Sequence, residues 1–270
     1  MFRSKFSLLF RFPLFGNCFA IALCLLIIVG LQRPKLEAIV DREQKVTSEQ
    51  AEREEELERT RLRLVKRMPA FGFDNLIANW EMLQFLQYFG DEPTRDLIGY
   101  SLVPDYFRII LDRDPRFLTA YIYLGTSGTI YAAQPEETDK IMERGIQQLT
   151  SQVPLYSYYA LRNKGINEIL FLGDLGTAQK TFGKAADWAS TYNDPQSLAI
   201  ARQSRNTADF LASSPSIVAI QITAWGMILT EVQDERTQKI AIENIDRLGG
   251  EIRKTSEGRF QVIFPSNLEK

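Results

Sequence analysis

Hydrophobic and polar positions divide the chain into four zones of different periodicity. The first is a charge-free stretch from Phe12 to Gln32 whose centre reads "CFAIALCLLIIVGL". A hydrocarbon core of about 30 Å needs roughly 20 apolar residues of helix, and this stretch is long enough. Arg3, Lys5 and Arg11 precede it, and Arg33 and Lys35 close it. Residues 1–34 are therefore expected to be a short cytoplasmic tail and a transmembrane helix, with Phe15, Phe19, Leu25, Ile28 and Leu31 as anchor residues. "VGLQRPK" is a poor match to the small-residue site of a cleaved signal peptide, and Leu23 before Cys24 is too large for a lipoprotein box. The segment reads as a retained anchor. Basic residues flank both ends, so the positive-inside bias is weak. The acid-free first side leans toward the cytoplasm and places the bulk of the chain in a periplasm or lumen.

The second zone, residues 35–68, is dense in both charge signs and holds no glycine. Glu, Arg, Leu, Gln and Ala favour helix. Asp41 with Lys45, Glu49 with Arg53 and Glu55 with Arg59 are acid-to-base pairs four apart, each supporting a helix by a few tenths of a kcal/mol. Leu36, Val40, Leu57, Leu64 and Val65 are apolar, but from Thr47 to Glu56 only Ala51 continues them, so no heptad seam is sustained. The zone reads either as a solvated single helix or as a weak dimerising stalk, through which the chain could form a homo-oligomer. Its alternating signs do not suit nucleic acid.

The third zone, residues 69–249, is amphipathic throughout. "FDNLIANWEMLQFLQYFG" predicts a helix opened by a capping Asp74 and ended at Gly90. Phe73, Ile77, Trp80, Leu83 and Gln87 share one face; Leu76, Phe85, Leu86 and Phe89 widen the arc, which predicts burial on more than one side. Further helices should open at Pro104, Pro115, Pro135, Asp174, Pro195 and Asp234, since proline at a first helical position loses no hydrogen bond. Such starts predict short helical hairpins. In the fourth zone, residues 250–270, "EIRKT" and "RFQVIF" flank Ser256-Glu257-Gly258 and predict a β-hairpin leaning on the body. The expected fold is all-α, with this small hairpin added.

Composition narrows the chemistry. The chain has 270 residues, a net charge of −2 and no histidine. Triads, Cys–His pairs and zinc sites with histidine ligands are excluded. Both cysteines, Cys18 and Cys24, lie in the apolar run, so no disulfide staples the rest. Glu136-Glu137 suits a helix's opening turn and Asp112-Asp114 suits caps. No spaced acid–base set, phosphate loop or metal cluster stands out, so no cofactor, no metal and no catalytic residue is expected.

"RDPRFLTAYIYLG" resembles the junction of tetratricopeptide (TPR) repeats, with Tyr121, Leu124 and Gly125 at the aromatic and Leu-Gly offsets from Pro115. "GDLGTAQKTFGKAADWA" resembles that family's second helix, with Gly173, Ala178, Phe182 and Ala185 at the turn and small–aromatic–small positions. The match covers residues 101–190; Arg162, Gly165 and Ile166 depart from the signature. The layout of anchor, "FDNLIANWEMLQFLQYFGD" and "DPRF" also resembles a group of anchored repeat proteins of oxygenic photosynthetic bacteria, which brings no known activity. The resemblance implies a bacterial inner or thylakoid membrane and a TPR-like domain that binds other proteins. It implies an inner-helix surface at Asn163 and Asn167, flanked by Arg162 and Lys164, for peptide contact; Ile122 and Thr126 hold the matching offsets one unit earlier.

Tyr121 and Tyr158 belong to an aromatic set that either anchors a partner or fills a core. The partner-binding candidates are thus Tyr121, Tyr158, Arg162, Asn163 and Asn167. The expected function is a membrane-tethered scaffold or adaptor for membrane-associated proteins. Alternatives are a structural accessory subunit of a membrane complex and a helical enzyme using carboxylates.

Overall fold

The computed structural model of the chain describes residue 19 and residues 21–34, 46–232, 234–254 and 260–265. Helix α1 covers residues 21–34; Phe19, Leu25, Ile28 and Leu31 are exposed there. Among the described residues, no helix is long and apolar enough to cross a membrane. Phe15 and the rest of the expected span, residues 12–18 and 20, lie outside the described residues, as do residues 35–45 with the Asp41–Lys45 pair. The chain divides after Gln50 into two units, and the second, Ala51–Lys270, is mostly helical and ends in a two-stranded antiparallel hairpin.

Helix α2 (Ser48–Arg67) begins this second unit's architecture at Ala51. From there on it is not a solvated stalk. Ala51 and Leu62 are buried, and Leu62 joins the main core. The expected boundary at residue 68 therefore falls inside one packed unit. The inward stripe Ala51–Glu55–Glu58–Leu62–Val65 is short of large apolar side chains, which is why its period reads as solvated. Its carboxylates find partners on the body instead. Glu55 accepts from Ser101 at 2.5 Å and pairs with Arg95 at 3.3 Å. Glu58 accepts from the Tyr106 hydroxyl and pairs with Arg61. Arg61 forks onto Glu81 of the next helix at 2.7 and 2.8 Å, and Glu81 is fully enclosed. Burial alone would raise the Glu58 pKa; the Arg61 and Tyr106 donors overcome that and hold it below its ordinary value.

Helix α3 (Asp74–Phe89) spans the predicted residues but turns the other way. Ala78, Met82, Phe85 and Tyr88 face the core, whereas Phe73, Leu76, Trp80 and Leu83 are exposed. Asp74 does not cap; Phe73 holds that position without a side-chain bond, and Asp74 pairs with Arg113 at 3.0 Å. Short α4 (Glu92–Ile98) leads to α5 (Val103–Arg113), which packs on α3 through Phe85, Tyr106 and Phe107.

Two units then repeat one plan. Helix α6 (Leu118–Thr126) runs into a π turn (Ser127–Tyr131) and then α7 (Pro135–Ile146); α8 (Tyr158–Asn167) runs into a π turn (Glu168–Leu172) and then α9 (Leu175–Ala189). The first does not open at Pro115, which lies in the preceding turn; Phe117 takes the cap position. Gly173, just past the second π turn, adopts a φ of +71°, the left-handed region that favours glycine. Ala178, Phe182 and Ala185 are buried as their spacing predicts. The Phe182 ring occupies the space left by Gly165, whose added Cβ would lie 2.6 Å from it.

Helices α10 (Pro195–Ala212), α11 (Ile217–Glu231) and α12 (Glu235–Arg247) complete the body. Asp174, Asp194 and Asp234 each cap the helix they precede, accepting from an amide three residues on at 2.9, 2.8 and 2.7 Å. Strands β1 (Glu251–Lys254) and β2 (Phe260–Ile263) pair antiparallel with Ile252 opposite Val262. Ile252, Phe260 and Val262 pack on Trp225, Leu229, Ala241 and Ile245 of α11 and α12. The predicted turn residues Ser256-Glu257-Gly258 lie outside the described residues.

Candidate functional site

Three helices each present a stripe of positions three or four apart to one groove. From α6 come Ile122, Gly125 and Thr126, followed by Ile130 of its π turn; from α8 come Asn163, Ile166 and Asn167, followed by Leu170 and Phe171. Helix α11 supplies the third wall, and Phe264 beyond β2 closes one rim. The cavity has a volume of about 630 Å³ and opens to solvent. Among the described residues, none that lines it carries a charge. Ile122, Ile166 and Met227 stand exposed at its mouth.

The groove thus brings together the four positions matched by offset: Ile122, Thr126, Asn163 and Asn167. They differ in what they can offer. Asn163 is half-buried and donates one N–H to the Tyr159 carbonyl at 2.8 Å, which orients its amide against the wall. Asn167 is buried and committed at both ends. It donates to the Pro135 carbonyl at 3.1 Å and accepts from the Thr129 hydroxyl at 2.8 Å. These bonds tie α8 to the preceding unit.

The remaining predicted residues lie elsewhere. Tyr121 is fully buried and donates to the Pro115 carbonyl at 2.9 Å. Tyr158 is fully buried and shares a hydrogen bond with Ser197 at 3.0 Å. Both are core residues, and burial pushes both hydroxyl pKa values up. Arg162 donates to Ser204 at 2.7 Å and lies over the Phe182 ring, 5.9 Å from its centroid. Burial lowers its pKa, and it braces α8 against α10 on the side away from the groove. Of the five candidates, only Asn163 combines a place in the groove with solvent access.

Behind the Asn167 end lies a charged cluster that sequence spacing does not reveal. Lys164 is 4% exposed in its side chain and sits 3.3 Å from Asp139 and 3.4 Å from Glu143, with Glu168 also bound to it. Three carboxylates share one ammonium. Burial raises the Glu168 and Asp139 pKa values, outweighing the pull of Lys164. For Lys164, burial acts downward, but the bond to Glu168 and the surrounding negative charge raise it. Among the described residues, Glu168 Oε2 and Asp139 Oδ1 are buried without a hydrogen-bond partner. The cluster clamps α8 to α7 beneath the groove.

The α11 wall was not singled out by sequence, although "IVAIQITAWGMIL" is apolar at every turn, a sign of a helix with contacts on more than one side. No metal-holding group of acids or thiols occurs among the described residues. No family model, no curated protein and no solved structure matches this chain.

Proposed function

We infer that the chain is a membrane-anchored, TPR-like scaffold or adaptor whose groove takes an apolar segment of another, membrane-associated protein during assembly of a membrane complex. The observation that carries this reading is the groove across α6, α8 and α11, apolar on three sides, uncharged, open, and supplied with an oriented amide at Asn163. Clefts of this size that combine apolar walls with a few placed polar groups are the usual form of binding sites. A groove already formed by packed helices loses little freedom on binding. The length and composition of Phe12–Gln32 support the bilayer as a second partner, through Phe15, Phe19, Leu25, Ile28 and Leu31. Tethering would raise the effective concentration of neighbouring membrane proteins. We place the soluble part in a periplasm or lumen, assign no cofactor and no nucleic-acid partner, and assign binding instead of catalysis.

The test is affinity capture from detergent-solubilised membranes with the tagged full chain. Wild type should retain a substoichiometric partner that survives a high-salt wash, as apolar burial does, and Ile166→Asp together with Met227→Asp should lose it by at least tenfold with helicity unchanged. Retention of the same partners by the double variant sinks the groove reading. A partner held at fixed stoichiometry indicates an accessory subunit instead. Deleting residues 1–33 should move the chain from the carbonate-washed membrane pellet to the supernatant; a chain that stays in the pellet overturns the anchor.

A further inference from the structure

Helices α2 and α3 leave a large apolar face uncovered. Leu57 and Leu64 are exposed on α2 and Met68 just past its end, and Leu76, Trp80 and Leu83 are exposed on α3. On each helix these residues recur three, four or seven apart, so each set forms one stripe. Arg61 of α2 forks onto Glu81 of α3, which holds the two helices against each other. Trp80 is 56% exposed and Leu57 71%. At roughly 150–250 Å² per large side chain the face presents on the order of 700 Å². Monomers ordinarily leave a few hundred Å² in one patch, whereas a standard interface uses about 800 Å² per partner.

Charge on α2 indicates what covers this face. Glu55, Glu58 and Arg61 are committed to the body; of the remaining charges, residues 52–56 carry the acids Glu52, Glu54 and Glu56 with the base Arg53, and residues 59–67 carry the bases Arg59, Arg63, Lys66 and Arg67 and no acid. The polarity reverses near Thr60, midway between Leu57 and Leu64. A helix with that pattern is complementary to its own antiparallel copy: the acidic half of one faces the basic half of the other, and Leu57 meets Leu64 across the two-fold axis. A two-fold contact is self-complementary by symmetry.

We propose that the α2–α3 face is a homodimer interface, in which a second copy of this chain packs antiparallel across Thr60 with Trp80 near the centre of the contact. The four helices then form one bundle layer, and the charged halves of α2 set the register at its rim.

A charge-swap experiment on the full chain in mild detergent tests this. One variant carries Glu54→Lys and Glu56→Lys, the other Arg63→Glu and Arg67→Glu; circular dichroism checks that both stay helical. Light scattering should give a dimer for wild type, monomers for each variant alone, and a dimer again when the two are mixed one to one. Trp80→Glu should weaken the wild-type dimer at least tenfold. In membrane vesicles, Thr60→Cys in a Cys18→Ser, Cys24→Ser background should cross-link to itself on oxidation, and Lys140→Cys should not. A wild-type chain that is monomeric in detergent and uncross-linked at residue 60 in vesicles overturns the proposal. So does a mixture that pairs no better than its components, or a dimer indifferent to Trp80→Glu.

Discussion

Lys164 is the residue on which the inner helices depend most heavily. It is enclosed, it is the single cation among Asp139, Glu143 and Glu168, and its removal would leave buried carboxylates facing one another. Breaking such a pair from one side ordinarily costs about 3–5 kcal/mol. Lys164→Met is therefore expected to lower the urea midpoint by that equivalent at pH 7. The same cluster makes stability depend on pH. Glu168 and Asp139 hold a proton more tightly folded than unfolded, so their contribution is complete below the ordinary carboxylate values of 4.5 and 3.8 and is lost as pH rises through the raised folded values. Glu168→Gln cannot ionise. Relative to wild type, its stability should climb as pH rises above 4.5, measured by denaturant unfolding. Gly165 makes a second point. In sequence it interrupts the Leu-Gly signature, and the fold explains why: the Phe182 ring fills the space beside it. Gly165→Val should cost about 1–3 kcal/mol through overpacking, visible as a lower thermal midpoint.

Among the helices, starts were easier to read than faces. Capping is decided within four residues, so Asp174 and Asp234 announce themselves, as Pro195 does at a first helical position; Asp194, just before that proline, supplies the cap there. Asp174→Ala is expected to cost about 1 kcal/mol. Hydrogen bonds from the Thr177 hydroxyl and amide hold the Asp174 pKa below its ordinary value. The cap's contribution is therefore complete above that ordinary value of 3.8 and fades as pH falls through the lowered one, so the variant's deficit should vanish in acid. Facing is a different matter. Helix α3 is apolar nearly all round, so periodicity could not say which side meets the core; Phe85 and Met82 won because α5 and α2 lie there. Helix α2 posed the opposite difficulty, an inward stripe built from glutamates whose partners are distant in sequence. The groove was half legible: the offsets of Ile122, Thr126, Asn163 and Asn167 pointed to one surface, but the α11 wall comes from a chain segment with no matching signature.

Across the molecule, α2 decides where the body begins. If the helix were a free stalk, Leu62→Ala would leave stability unchanged; because Leu62 lies in the main core, the substitution should cost about 2–5 kcal/mol, read from the thermal midpoint of the full chain. The proposed dimer face and the proposed peptide groove use different helices, α2 and α3 for one and α6, α8 and α11 for the other, so occupancy of either leaves the other accessible. The groove itself owes its shape to the two π turns, since Ile130, Leu170 and Phe171 all lie within them. Each π turn ends its helix, and the chain leaves the helical path at Ala132 and at Gly173 before the next helix begins. Loss of a single codon in either turn would thus withdraw these side chains from the wall, so the shape of the groove hangs on two five-residue segments.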